Sequence, residues 1–261
     1  MDKQMNMLKK MIKNAMPERL MLHMQALDHY LHGEAEIRLI SQLSPAGRDA
    51  IDAGANIGTY TYFLQKHARH VYAFEPNPRL ASSLSKMFPH VSVRNLALSD
   101  SAGDVVLSIP LDPNGNDLHE LASIAQEFDG PIKEFQVKSV TIDSAQFDNV
   151  GFLKVDVEQH EREVLRGALE TIKRCRPTIM TEVSPLKYDQ DLPQVFDFLT
   201  EQQYAGWFRF GGRWIPLHDF KRDIHSNSAH FGDKERFMGG NMLFFPTEHA
   251  LSRSGPMVRM H

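Results

Sequence analysis

The 261-residue chain has one cysteine, two tryptophans and no excess of basic side chains. Cys175 alone cannot close a disulfide within the chain, nor supply a zinc site built on several thiolates. Lysine and arginine number 29 against 33 acidic residues, a formal charge of −4, which argues against the basic surface that a nucleic-acid partner needs. No apolar run approaches the roughly 18–20 residues that span a bilayer. The N-terminus also lacks the apolar core and small-residue cleavage site of a signal peptide, so a cytoplasmic setting is expected. Disorder is excluded by a hydrophobic fraction of 42%, which is ordinary for a globular protein.

What is present divides unevenly. Residues 1–45 read as a helical segment, 46–250 as one domain and 251–261 as a C-terminal tail. Met1, Met5, Leu8, Ile12 and Met16 share one helical face, with lysines around them, before a boundary at Pro17. Such a helix either packs on the domain or gives a basic amphipathic surface for peripheral membrane contact over residues 1–16. A second stripe follows at Leu20, Met24, Leu27 and Leu31, then a short helix over 34–43.

From residue 49, β-prone runs at 50–52, 71–74, 91–98, 105–109, 137–141, 152–155 and 178–182 alternate with helical runs at 57–67, 79–87, 158–172 and 192–203. That alternation predicts a doubly wound, mostly parallel α/β sheet, whose ligands bind beyond the carboxyl ends of the strands. An aromatic hairpin over 207–215, turning at Gly211-Gly212, and a last strand over 242–245 complete it. The segments 111–131 and 218–241 read as long loops.

The sharpest motif ends the first strand: Asp52-Ala53-Gly54-Ala55-Asn56-Ile57-Gly58. A nicotinamide or flavin site would use Gly-x-Gly-x-x-Gly against a pyrophosphate, and an aspartate two residues before the first glycine would repel it. Asp52 suits a cationic ligand such as S-adenosylmethionine, with its sulfonium and ammonium. Glu75, at the end of the second strand, is placed to accept both ribose hydroxyls of an adenosyl group.

These motifs, with Ala73-Phe-Glu-Pro-Asn-Pro78, Asn95-Leu-Ala-Leu-Ser-Asp100, Lys154-Val-Asp-Val-Glu-Gln-His-Glu161, Val164-Leu-Arg-Gly-Ala168, Arg176-Pro177 with Glu182, and Asn241-Met-Leu-Phe-Phe245, follow one another in a set order. In that order the chain resembles the FkbM family of methyltransferases over roughly residues 35–246. The resemblance implies a Rossmann-like class I methyltransferase fold, a seven-stranded sheet with an N-terminal helical cap. It also implies S-adenosyl-L-methionine as cofactor and O-methylation of a hydroxyl on a sugar, glycolipid or secondary metabolite. Asp52, Gly54, Ala55, Asn56, Gly58, Glu75, Pro76, Ala97 and Asp156 are the expected cofactor-binding residues. Gln159 departs from the family, which usually has glycine there. A nicotinamide-dependent oxidoreductase and a non-catalytic adenosyl-binding protein are the competing readings.

Methyl transfer to oxygen needs alignment and a proton acceptor. Asp156, Glu158, His160 and Glu182 are the catalytic candidates, with Glu161 beside them. Asp156 also fits a helix capping box with Gln159, and Glu158 and Glu161 fit the first turn of the following helix. No metal-ligand spacing is evident, so metal-independent transfer is expected, and His218, His225 and His230 are expected in solvent. The hairpin aromatics Tyr204, Trp207, Phe208, Phe210 and Trp214 either stack on a small-molecule or glycan acceptor or pack at the sheet edge.

Overall fold

The structure is a computed structural model that describes residues 18–183, 192–230 and 240–256. The stripe expected over 1–16 and the end of the C-terminal tail lie outside the described residues. Eleven strands are described: β1 (Asp49–Ala53), β2 (Val71–Phe74), β3 (Ser92–Arg94), β4 (Ala97–Leu98), β5 (Gly103–Pro110), β6 (Ile132–Val140), β7 (Val150–Val155), β8 (Thr178–Glu182), β9 (Tyr204–Phe210), β10 (Arg213–Pro216) and β11 (Asn241–Pro246).

The main sheet has eight strands, in the order β10-β9-β11-β8-β7-β1-β2-β3, rather than the expected seven. Strands β3, β2, β1, β7 and β8 run parallel. Strand β11 inserts antiparallel between β8 and β9, and β10 pairs antiparallel with β9. The eighth strand is the outer arm of the aromatic hairpin, closed by Gly211 and Gly212 at φ of 57° and 72°, the positive values that a tight two-residue turn requires.

Two expected main-sheet strands, over 105–109 and 137–141, instead build a separate three-stranded sheet, β4-β6-β5. The run expected over 91–98 is split between the two sheets. The break falls at Asn95, whose side-chain amide donates to the carbonyls of Glu75 (2.9 Å) and Pro76 (2.8 Å). The helix expected over 158–172 is also two, Glu161–Arg166 and Leu169–Cys175. The second begins afresh because the Asp143 carboxylate accepts from the amides of Glu170 (2.9 Å) and Thr171 (2.8 Å), satisfying donors that a helix start leaves open.

Alternation along the parallel strands sorts the core to the two faces. Ile51, Leu153 and Ile179 join one cluster, and Ala50, Phe152 and Met180 join the other. The Glu18–His32 helix forms, but Met24, Leu27 and Leu31 of the expected stripe are more than half exposed. It attaches through buried Ala26, the edge of His23 on Tyr62 and the stacking of Tyr30 on Phe63.

Candidate active site

The carboxyl ends of β1, β2, β7 and β8 bring the candidate residues to one side of the sheet, because parallel strands deliver their last residues to a common rim. At the end of β1, Gly54 takes φ +78°, and a Cβ there would stand 1.8 Å from the carbonyl oxygen of Asp156. The glycine therefore lets the first loop lie against the turn after β7, a packing reason beside the ligand-approach reason read from sequence. Ala55 is buried, and its amide donates to the Phe74 carbonyl at 3.0 Å, which fixes the loop to β2. Gly58 caps the Thr59–Leu64 helix in the left-handed conformation.

Glu75 is buried at the end of β2. One oxygen accepts from the Asn56 amide (2.7 Å) and the other from the Asn77 amide (2.8 Å). Burial pushes its pKa up to about 7 against the lowering effect of those two bonds. Each oxygen keeps a lone pair for a ribose hydroxyl. Pro76 is half-buried beside it. Ala97 is buried with Leu107, Ile109 and Val137 in the core of the second sheet. On that side it is Asn95, absent from the expected set, that the structure ties to Glu75 and Pro76.

Asp52 has no exposed surface. Its Oδ2 accepts from the Thr61 hydroxyl at 2.5 Å, and its Oδ1, without a hydrogen bond, lies 3.9 Å from the Lys154 ammonium. Burial raises its pKa, and Lys154 and Thr61 offset that. Held there, the Asp52 carboxylate has no surface open to the rim. Lys154 is the charged residue of an otherwise apolar strand, and its Nζ donates to Asp156 Oδ2 at 2.8 Å. Burial opposes its charge, but Asp156 and Asp52 outweigh burial and keep it an ammonium.

Asp156, Glu158 and Glu182 converge, with carboxylate oxygens within 4.8 Å of one another. That spacing would admit a small cation, but Asp156 is already met by Lys154 and hydrogen-bonds with Glu182. Burial first, and then the Asp156 charge, push Glu182 up to about 9, so it carries the proton of that hydrogen bond at neutral pH. Asp156 is not a helix cap. The cap position of the Glu161–Arg166 helix is His160, which makes no side-chain capping bond. Glu158 lies before that helix, not in its first turn, in a bend where it and Gln159 have φ of 50° and 69°. Its carbonyl accepts from the Ser123 hydroxyl at 2.7 Å, which ties the 111–131 loop to the rim. Glu161 does sit in the first turn, buried, with its carboxylate accepting from the Val157 amide and its pKa raised by burial to about 8.

His160 faces elsewhere. Its Nε2 lies 2.9 Å from the Ser99 hydroxyl and its Nδ1 3.7 Å from Glu163, so both ring nitrogens are engaged away from the three carboxylates. The expectation of three solvent histidines fails at His225, which is buried against Phe208, Phe210 and Phe220 and accepts from the Lys221 amide. Tyr204, Trp207 and Phe208 of the hairpin are buried as packing. Behind Lys154 stands Tyr60, with the ammonium 4.7 Å from its ring centre. The Tyr60 hydroxyl donates to Glu34, which also accepts from the Asn241 amide at 2.8 Å.

An acidic loop without Gly-x-Gly, a buried glutamate at the end of β2 and carboxylates at the adjoining strand ends thus share one rim of the sheet. Residues 52–205 match the Methyltransferase FkbM domain, and the chain belongs to that family. It is 33% identical over 166 residues to the hexuronic acid methyltransferase AglP of Haloferax volcanii, covering 59% of this chain and 66% of that protein. Among solved structures it is similar to a methyltransferase FkbM from Methylobacillus flagellatus, at 14% identity and a TM-score of 0.49, covering 88% of this chain and 56% of that one. It is also similar to an O-methyltransferase from Bacillus cereus in complex with SAH, at 10% identity and a TM-score of 0.45, covering 91% of this chain and 96% of that one. The chain thus spans less than two thirds of the AglP and Methylobacillus proteins. Among the described residues no helix is long and apolar enough to cross a membrane.

Proposed function

We propose that the protein methylates a hydroxyl of a sugar or sugar-bearing acceptor. The observation that carries this reading is the convergence of Asp156, Glu158 and Glu182 on the rim beside the Asp52 loop and Glu75. S-adenosylmethionine bound there would supply an electrophilic methyl group, its S–C bond breaking as the O–C bond forms and SAH leaving as the thioether. Glu75 holds the ribose, and the negative charge of the Asp52 loop favours the cation. Asp156 accepts the proton of the attacking hydroxyl as the new O–C bond forms, and Glu182, protonated, donates to Asp156 and fixes its orientation. Glu158, the third carboxylate of the group, accepts from a neighbouring hydroxyl of a polyol acceptor. The relative AglP, a hexuronic acid methyltransferase, supports a sugar acceptor. Metal is dispensable in this scheme, because Lys154 already supplies the positive charge beside Asp156, and chelation should leave turnover unchanged.

The test incubates the protein with methyl-labelled cofactor and a panel of aryl glycosides, including a β-D-glucuronide and a β-D-glucoside. Label in a base-stable ether on either supports the proposal. Label only in a base-labile ester overturns the attack by a hydroxyl. SAH binding with no label in any glycoside overturns the sugar acceptor.

A further inference from the structure

Lys154 is an oddity of the sheet. It lies at the end of β7, which is buried at every position, in the layer shared by Ala50, Phe152 and Met180. A buried ammonium is retained only where charge and hydrogen bonds repay its desolvation. Here the repayment comes from four elements: Asp52 on β1 at 3.9 Å, Asp156 after β7 at 2.8 Å, the Tyr60 ring on the Thr59–Leu64 helix at 4.7 Å, and the Glu34 charge from the N-terminal segment. Tyr60 is tethered at its far end, where its hydroxyl donates to Glu34. Asn241, paired in register with Glu182, closes the same group by donating to Glu34. The ammonium is thus held from behind and, among the described residues, donates on the rim to Asp156 Oδ2.

We infer that Lys154 is a positioning residue for methyl transfer: clamped by Tyr60 and Asp52, it fixes the Asp156 carboxylate at the rim, and it acts on the reaction through Asp156 alone. The inference rests on the proposed proton-accepting role of Asp156. Lys154→Met keeps the length and removes both the charge and the donor, whereas Lys154→Gln keeps a donor.

With the glycoside that takes label as acceptor, Lys154→Met should lower kcat roughly 10–100-fold, the scale expected when a reacting group loses its placement. The Kd for SAH and the acceptor KM should stay within about 3-fold, because Lys154 is buried behind the rim. Lys154→Gln should recover part of the loss, and it carries the comparison if the methionine variant does not fold. Adding Lys154→Met to Asp156→Asn should cost nothing beyond Asp156→Asn alone. Independent, additive losses in that cycle overturn the inference, as does a wild-type kcat for Lys154→Met. If Asp156→Asn is itself fully active, it is the proton-accepting role that fails. Should no glycoside take label, crystal structures with SAH decide: the Asp156 carboxylate displaced in Lys154→Met supports the inference, and the carboxylate unmoved overturns it.

Discussion

The ribose-binding role proposed for Glu75 needs a carboxylate buried enough to exclude water and polar enough to grip a hydroxyl. The two backbone amides on its oxygens keep the carboxylate in place, and burial still lifts its pKa to about 7. Hydrogen bonds to an ionised carboxylate contribute about 1.5–3 kcal/mol each, so Glu75→Ala should weaken SAH binding at least about 30-fold by calorimetry. An affinity within a factor of two would remove the ribose assignment. The same burial makes binding pH-dependent. Ribose hydroxyls donate more strongly to the ionised form, so they draw the pKa down and protons leave as the cofactor binds. Near pH 6 the binding enthalpy should therefore differ between phosphate and bis-Tris buffers, and the same enthalpy in both would mean that Glu75 does not change state. Glu75 was legible in the sequence because its strand-end position follows from the run at 71–74. Lys154 was legible in part, as a charge inside an apolar strand. Tyr60, Glu34 and Asn241 were not, because contacts between residues 34, 60 and 241 depend on the insertion of β11 beside β8 and leave no local pattern.

Elements show the same division. Strand ends were legible wherever an apolar run stops at an acid, as at Asp52 and Glu75, but which sheet a strand joins was not. The runs at 105–109 and 137–141 look like any other strand, and only their mutual pairing, eight residues long from Gly103–Ser139 to Pro110–Ile132, draws them into a second sheet. The first loop yields a test that separates conformation from contact. Gly54 and Gly115 have nearly the same φ, +78° and +79°, yet a Cβ at Gly54 meets the Asp156 carbonyl while one at Gly115 meets nothing within 4 Å. Gly115→Ala should then cost only the left-handed penalty, about 1–2 kcal/mol. Gly54→Ala should cost that and a displacement of the turn after β7, about 3 kcal/mol or more in all, with SAH binding lost. Urea midpoints measure both. Equal losses at the two sites would show that the first loop does not need its close approach to Asp156.

Across the whole molecule, the formal charge of −4 matters less than where the carboxylates are held. Glu75, Glu161 and Glu182 are buried or largely so, and burial is the main cause of the rise in each, to about 7, 8 and 9. The unfolded chain releases these protons near pH 4.5, whereas the folded chain keeps them until its own higher values are passed. Between those limits the native state binds more protons than the unfolded state, so stability falls as pH rises and levels off above about 9. The fall should reach at least about 2 kcal/mol between pH 5 and 8, where each unit of pKa shift corresponds to about 1.4 kcal/mol. Urea unfolding of the cofactor-free protein across that range measures it. Bound SAH should act in the opposite sense, because a ribose held as proposed favours the ionised Glu75, and the rise in Tm that SAH produces should grow from pH 5.5 to 8. A cofactor-free protein most stable at pH 8 would place the buried carboxyls in their ionised forms. It would also return to Asp156 and Glu182 the mutual repulsion that their shared proton removes.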